Sequence, residues 1–479
     1  MVNNAPIVSK PDKKEVKAKK PYRNKCYLPF ILYPSAMYKN DKGHAFIEEL
    51  NMDEIGGDFV LYIGIPFCRV RCKGCPYFVA RLSKTDPRNE EDIFVDALIK
   101  DIKHWASYKK WNTGSLKAIY IGGGTGTILK TKNLKRIIDK IFECFNVSDE
   151  YCLTLEGNAS DYDEEKLDYV ANSEITRVSL GVQSFVPEVL KIVGSPHAAE
   201  ESIKIIKALQ SRGFDNIQMD LMFNMPGHSL EVWKQDLQTM VDLGIKHFTA
   251  YLYRIHDETP QAAAIKRGKV APVKDPESPL VKAMRREAKE IAESFGFKMY
   301  MADHYAKPGY ENKYNHWSWK VYTDALAIGP GGYSYFDRYR LGTEKNVDKY
   351  IERVNKGEFL ISTISMKMDE QIEKERYVIF TLLYYCVEFE AYRARFGSEF
   401  LDDFKDIVEK LKRKELIDID FDQIRLTQLG IEWHANVLLE FFNPMFWSDQ
   451  EALKENNWSM NIPMVELAAK NRDYWLGEF

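Results

Sequence analysis

No apolar run in this sequence approaches the ~18 residues that a membrane-spanning helix requires. Its first residues also lack the apolar segment of a secretory signal. Positive charge is not in excess: 67 lysines and arginines stand against 71 acidic residues, a formal net charge of −4. That balance gives no electrostatic reason to expect nucleic acid or an anionic membrane as a partner. Cysteine is scarce, seven in 479 residues, and Cys26, Cys144, Cys152 and Cys386 are scattered, so no disulfide framework is expected. Together these absences point to a reducing, cytoplasmic setting. A hydrophobic content of 45% and a charged content of 29% are ordinary for a globular chain of two or three domains. Nine tryptophans and 27 tyrosines suit a large flat substrate, though also an ordinary core.

The remaining three cysteines lie together in Leu61-Tyr-Ile-Gly-Ile-Pro-Phe-Cys68-Arg-Val-Arg-Cys72-Lys-Gly-Cys75-Pro-Tyr-Phe78, directly after an apolar, β-prone run. A tight loop at C-x3-C-x2-C spacing can present three thiolates to three corners of an iron–sulfur cube. The fourth iron then has no protein ligand and is open to a small molecule. A zinc site would want a fourth ligand close by, and no His or Cys follows Cys75 before His104.

From residue 58 the chain alternates short apolar strands with amphipathic helices. The strands read are Phe59–Ile63, Ala118–Ile121, Leu153–Leu155, Arg177–Leu180, Ile217–Met222 and His247–Tyr253. Between them, apolar stripes at three and four spacing predict helices: Ile93, Ala97, Leu98, Ile102 and Trp105 form one, and Leu230, Trp233, Leu237 and Val241 another, closed by Gly244. Such alternation implies parallel strands with right-handed crossovers. Six units are fewer than a closed barrel's eight, so the expected fold is α/β, an open three-quarter (β/α)6 TIM-like barrel. Chemistry in such folds sits at the carboxyl ends of the strands. There the sequence places Tyr62 with the cysteine loop, Gly122-Gly-Gly-Thr125, Glu156, Gln183, Asp220 and Arg254. Consecutive glycines let backbone amides approach an anion closely. A strand-end carboxylate can accept hydrogen bonds from ribose hydroxyls.

The cysteine spacing, together with Tyr62-x-x-Ile65-Pro66-Phe67-Cys68, resembles the radical S-adenosylmethionine (SAM) superfamily. Within it the chain is similar to the anaerobic coproporphyrinogen III dehydrogenase family and its haem-chaperone and two-SAM methyltransferase relatives. The resemblance covers about residues 58–442, tightly to 260. It implies a [4Fe-4S] cluster ligated by Cys68, Cys72 and Cys75, with SAM chelated at the free iron. It further implies SAM contacts from Tyr62, Gly123, Gly124, Thr125, Glu156, Gln183, Asp220 and Arg254, with Asp220 also catalytic. Several positions depart from the family. Gly74 replaces an aromatic residue before the third cysteine, and Gly194-Ser195 stands where an Asn-Arg or Gly-Arg pair is usual. Gly64 replaces the histidine of the dehydrogenases, and Pro76-Tyr77-Phe78 their fourth cysteine.

The regions expected are a tail and lead-in at 1–57, the barrel at 58–260 and a barrel-capping segment at 261–367. A winged-helix-like domain at 368–442 and an aromatic extension at 443–479 follow. Residues 1–25 read as a solvated, lysine-rich tail, and 443–479 should pack back on the body. Helix 278–297 leads to strand Lys298–Met301, and Leu416–Ile419 with Gln423–Leu426 forms a β-ribbon before a helix capped by Thr427. Tyr314 and His316 lie near the place where haem-chaperone relatives carry a haem-handling histidine. The function the resemblance implies is reductive cleavage of SAM to a 5′-deoxyadenosyl radical. The first expectation is a two-SAM methyl or methylene transferase acting on an sp2 carbon of a small molecule or peptide, with flavodoxin or ferredoxin as reductant. Oxidative decarboxylation of the coproporphyrinogen type and a haem chaperone are the alternatives.

Overall fold

The computed structural model describes residues 20–27, 33–34, 37–77, 79–257, 259–358, 360–447 and 472–477. Six parallel strands run side by side in chain order: Asp58–Ile65, Ser115–Gly123, Asn146–Gly157, Arg177–Gln183, Ile217–Phe223 and His247–Leu252. The helices between them bury one face each in a single large core. The helix Glu90–Ala106 starts where both oxygens of Asp86 accept the amides of Glu90 and Glu91, and its first turn is acidic, as the helix dipole favours. Ile93 does not belong to its inner stripe: it is 47% exposed, and Phe94, one position on, is buried instead. Helix Leu230–Asp242 is capped by Ser229, and Gly244 follows it in the left-handed region (φ +67).

The strands outrun the sequence reading. Tyr62 is not the end of the first strand, which continues to Ile65, and the third begins at Asn146. A seventh parallel strand, Asp324–Ile328, pairs with the first from the other side. Its Ala-Leu-Ala-Ile run is short and far along the chain, so no strand–helix rhythm announced it. Antiparallel strands then widen both edges. Tyr333–Phe336, Tyr339–Thr343, Ile361–Ile364 and Tyr38–Lys39 extend one side, and His304–Ala306 with Lys298–Met301 the other, thirteen strands among the described residues. Much of 261–367 therefore widens the sheet rather than capping it. Among the described residues the sheet does not close, so the architecture is an open partial barrel.

A second core holds the C-terminal helical domain. Its small sheet has three antiparallel strands, Cys386–Glu388, Gln423–Leu426 and Ile417–Ile419, one more than the ribbon expected from sequence. Thr427 caps the following helix through Gly430. Tyr22, Cys26 and Tyr33 are buried in this core, so the solvated-tail reading fails for residues 21–25, while residues 1–19 lie outside the described residues. Of the aromatic extension, Phe446 is buried there with Leu476, whereas Tyr474 is 39% exposed; residues 448–471 and 478–479 are outside the description. No described helix is long and apolar enough to cross a membrane.

Candidate active site

The cysteine loop leaves the first strand at Pro66 and is pinned on two sides. On one, Ala80 and Leu82 donate their amides to the carbonyls of Pro66 and Cys68. Arg69, between the first two cysteines, donates to the carbonyls of Leu82, Ser83 and Ile128 and pairs with Asp161 at 3.6 Å. On the other side the Lys73 amide meets Val193 O, and its ammonium group caps the carbonyls of Lys191 and Ile192 at the end of helix Pro187–Val193. Gly194, in the pair that lacks the usual arginine, is the surface against which the Lys73 stem lies. The neighbouring Ser195 and His197 are structural. His197 Nδ1 accepts from Asn158 and Ser195, and Nε2 donates to Val182 O, tying the ends of the third and fourth strands together.

Burial pushes the thiols up, Cys68 to about 12 and Cys72 to about 11, and the neighbouring cysteines add to both shifts. Three thiols close enough to raise one another suit a cation that would take their protons. Among the described residues no three His, Cys, Asp or Glu side chains close around a single ion. A four-iron cluster takes each thiolate at a different corner, so its ligands stand further apart than those of one zinc ion.

Opposite the loop, the lumen face of the strands carries the remaining candidates. Tyr62 stacks with Tyr120 (6.0 Å between centroids, 14° between planes), and Tyr120 meets Tyr314 at 5.4 Å. Glu156 lies over Gly122, where an added Cβ would stand 2.2 Å from its Oε2, and it accepts the Gly123 amide at 3.2 Å. Burial first, then the charge of Asp220, raises Glu156 to about 7; the Gly123 amide and the Tyr120 hydroxyl pull it back, and no cation does so. Asp220 accepts from Ser179 at 3.1 Å, Gln218 at 2.8 Å and Thr249 at 2.7 Å. Gln183 sits in the left-handed region (φ +67), and its buried Oε1 has no hydrogen-bond partner. A buried acceptor without a partner costs about 1–3 kcal/mol, which a bound donor would offset.

The glycine loop works otherwise than the sequence suggested. The Gly123 amide is taken by Glu156 and the Gly124 amide by Ile65 O at 2.7 Å, so neither is a spare anion donor. Their contribution is room: a Cβ on Gly124 would meet Phe67 O at 2.5 Å. Thr125 turns its hydroxyl to Gly124 O and to Cys68 Sγ at 3.3 Å, tying this loop to the first cysteine. Gly64 is hemmed in by the Gly329-Pro330 turn, with Pro330 O 3.1 Å from an added Cβ.

Cys68, Cys72, Cys75, Tyr62, Gly123, Thr125, Glu156 and Asp220 thus share one electrostatic neighbourhood, with Gln183 on the adjoining strand end. The charge of Arg254, just past the end of the sixth strand, acts on Asp303 and His256. Tyr314 meets Tyr120 in the lumen, whereas His316 is exposed on the π-helical turn His316–Val321, its ring 6.2 Å from that of Tyr384. Sequence reasoning gave no role to His304, which is buried beside Tyr251. Its Nδ1 donates to Ala302 O at 2.7 Å, and burial holds it neutral, with a pKa of about 4. Arg69 and Lys73 were missed too, because basic residues between cysteines carry no signal of which carbonyls they will reach.

Residues 62–240 match the radical SAM superfamily. The chain is 26% identical over 383 residues to the heme chaperone HemW of Lactococcus lactis subsp. lactis, covering 79% of this chain and 96% of that one. It is 27% identical over 377 residues to the heme chaperone HemW of Bacillus subtilis (77% and 95%). Over 298 residues it is 24% identical to the anaerobilin synthase of Escherichia coli O157:H7 (62% and 65%). Among solved structures, coproporphyrinogen III oxidase (HemN) from Escherichia coli, a radical SAM enzyme, superposes with a TM-score of 0.71 at 20% identity, covering 86% of this chain and 97% of that one, a likeness of fold.

Proposed function

Because the chain carries a radical SAM domain and resembles heme chaperones and coproporphyrinogen III oxidase over most of its length, we propose that it is a radical SAM enzyme acting on a tetrapyrrole. In this reading it transfers a methyl or methylene group to an sp2 carbon of the macrocycle. The observation that carries the substrate class is the tyrosine wall of the lumen, Tyr62, Tyr120 and Tyr314, continued on the far side by Tyr251, Tyr300 and Tyr384 beside His304. Such a wall offers broad ring faces with polar tips, suited to a flat aromatic ligand. The relatives' names (heme, anaerobilin, coproporphyrinogen) are all those of tetrapyrroles.

Family members use a [4Fe-4S] cluster and SAM, and the donor set here fits both: three convergent thiols, the unpartnered Gln183 acceptor and the cation-free Glu156. Bound together, these cofactors supply one-electron cleavage of a SAM C–S bond to a 5′-deoxyadenosyl radical. The chain's own residues would do the rest. Cys68, Cys72 and Cys75 would hold the cluster. Glu156 and Gln183 would accept from the ribose hydroxyls, which favours the ionised form of Glu156. Asp220, fixed by its three donors, would orient a SAM molecule without moving, as preorganised groups do. Gly64 brings no proton-transferring side chain to the first strand, which weighs against decarboxylation.

The test is anaerobic reconstitution, followed by incubation with dithionite, SAM and either haem or coproporphyrinogen III, and mass spectrometry of all products. Deoxyadenosine, S-adenosylhomocysteine and a tetrapyrrole heavier by one carbon unit are expected. Deoxyadenosine with carbon dioxide and no homocysteine product would replace transfer by decarboxylation. The second reading, a heme chaperone, is favoured by the 95–96% coverage of the two HemW relatives. Stable haem binding with no SAM-derived product would establish it instead.

A further inference from the structure

Gly74 lies directly before the third cysteine and brings no side chain to the loop. The space beside it is filled from elsewhere: a Cβ on Gly74 would stand 1.9 Å from the Tyr253 hydroxyl oxygen and 2.8 Å from its ring Cζ. Tyr253 follows the sixth strand and is fixed at its base, its amide donating to Phe223 O at 2.9 Å. The side chain is 7% exposed and packs in a small apolar cluster with Val189, Val193 and Met225. The same floor holds the loop, since Lys73 N meets Val193 O, and the Gln261 amide donates to Lys73 O at 3.0 Å. Yet the buried Tyr253 hydroxyl has no hydrogen-bond partner, and it lies close enough to Cys72 and Cys75 to feel both.

A phenol fixed by its backbone and its ring, with an unsatisfied donor against two cluster ligands, awaits an acceptor. We propose that Tyr253 seats the cysteine loop with its ring, in the space Gly74 leaves open, and donates its hydroxyl to a sulfur of the bound cluster or its thiolates. Hydrogen bonds to the sulfurs of an iron–sulfur cluster stabilise the more negative, reduced state and raise its potential. Gly74 and Tyr253 therefore form a matched pair: a side chain at 74 would exclude the ring at 253.

The proposal rests on the cluster and not on the substrate, so an unreactive tetrapyrrole leaves it standing. Wild type, Tyr253→Phe, Gly74→Ala and Gly74→Ala/Tyr253→Leu are reconstituted anaerobically, and iron and sulfide per chain are measured. Reduction potentials of the SAM-free clusters are then titrated by electron paramagnetic resonance. Tyr253→Phe keeps the ring, so it is expected to retain its iron while its potential moves negative. Gly74→Ala is expected to lose most of its iron, and the added Tyr253→Leu to restore it. Circular dichroism of the cluster-free forms shows whether each variant folds. An unchanged potential in an iron-replete Tyr253→Phe would overturn the hydrogen bond. Full iron in a folded Gly74→Ala would overturn the seating. Wild type without a four-iron cluster would overturn the cluster reading itself.

Discussion

Two glutamates in this chain live in opposite surroundings. Glu440, 3% exposed in the C-terminal core, accepts the Tyr22 hydroxyl at 3.0 Å and pairs with Lys410 at 2.7 Å and Arg472 at 3.5 Å. Glu156, at a barrel strand end, meets one amide, one phenol and the like charge of Asp220. The same contrast holds for two amides. Asn436 accepts the Cys26 amide and donates to the carbonyls of Asn24 and Trp475, while Gln183 leaves its oxygen unpaired. Glu440 and Asn436, which join the N- and C-terminal segments, find their partners within the protein, as structural groups should. At the strand ends Glu156 has no cation and Gln183 leaves its oxygen unpaired, as groups awaiting a ligand do.

Neutralising each glutamate separates the two cases. Glu440→Gln removes the charge from a paired, buried site and should lower stability by about 2–3 kcal/mol. That lies below the ~3–5 kcal/mol of a fully enclosed pair, because Lys410 and Arg472 can turn to water. Chemical denaturation of the cofactor-free chain reads this, and its SAM affinity should not change. A loss of SAM affinity would break the contrast.

Glu156→Gln should do the reverse. Its folded pKa of about 7 lies above the ordinary 4.5, so the folded chain holds the extra proton between those values. Stability from this group is complete below pH 4.5 and lost as pH rises through 7. The amide variant removes that loss, so the cofactor-free protein should gain roughly 1–2 kcal/mol at pH 8 and show a flatter stability profile between pH 5 and 8. Its SAM affinity should fall about tenfold or more, the loss of one charge-assisted hydrogen-bonding group. Equal pH profiles for the variant and the wild type would remove Glu156 from the set of strained, ligand-awaiting groups.

What the sequence made legible follows the same division. The cysteine loop, Glu156, Gln183 and Asp220 stood out because chemistry-bearing side chains interrupt apolar strands at their carboxyl ends, a local pattern. Asp324–Ile328 was hidden because it joins the first strand across most of the chain, and its four apolar residues have no helix of their own to mark a repeat. The glycine loop was seen, but its amides were assigned outward, since only the fold shows that Ile65 and Glu156 consume them. Tyr253 looked like one more strand aromatic. Its meaning depends on the empty Cβ position of Gly74, which no reading along one segment can supply.

The N-terminal segment supplies the smallest test. Tyr22 is fully buried, and Lys414 lies over its ring at 4.3 Å, so packing rather than its hydroxyl fixes its place. Tyr22→Phe keeps that ring and deletes one donor to Glu440, whose oxygens still meet Lys410 and Arg472. Because the acceptor is not orphaned, the loss should be about 1 kcal/mol, the net worth of a single hydrogen bond. It should appear in denaturation of the C-terminal core and leave iron content and SAM binding untouched. A loss near that of Glu440→Gln would mean that Tyr22 is needed to hold the lysine and arginine in place. The satisfied region would then be a cooperative network rather than a set of independent pairs, and a double-mutant cycle between Tyr22 and Lys410 would show their coupling.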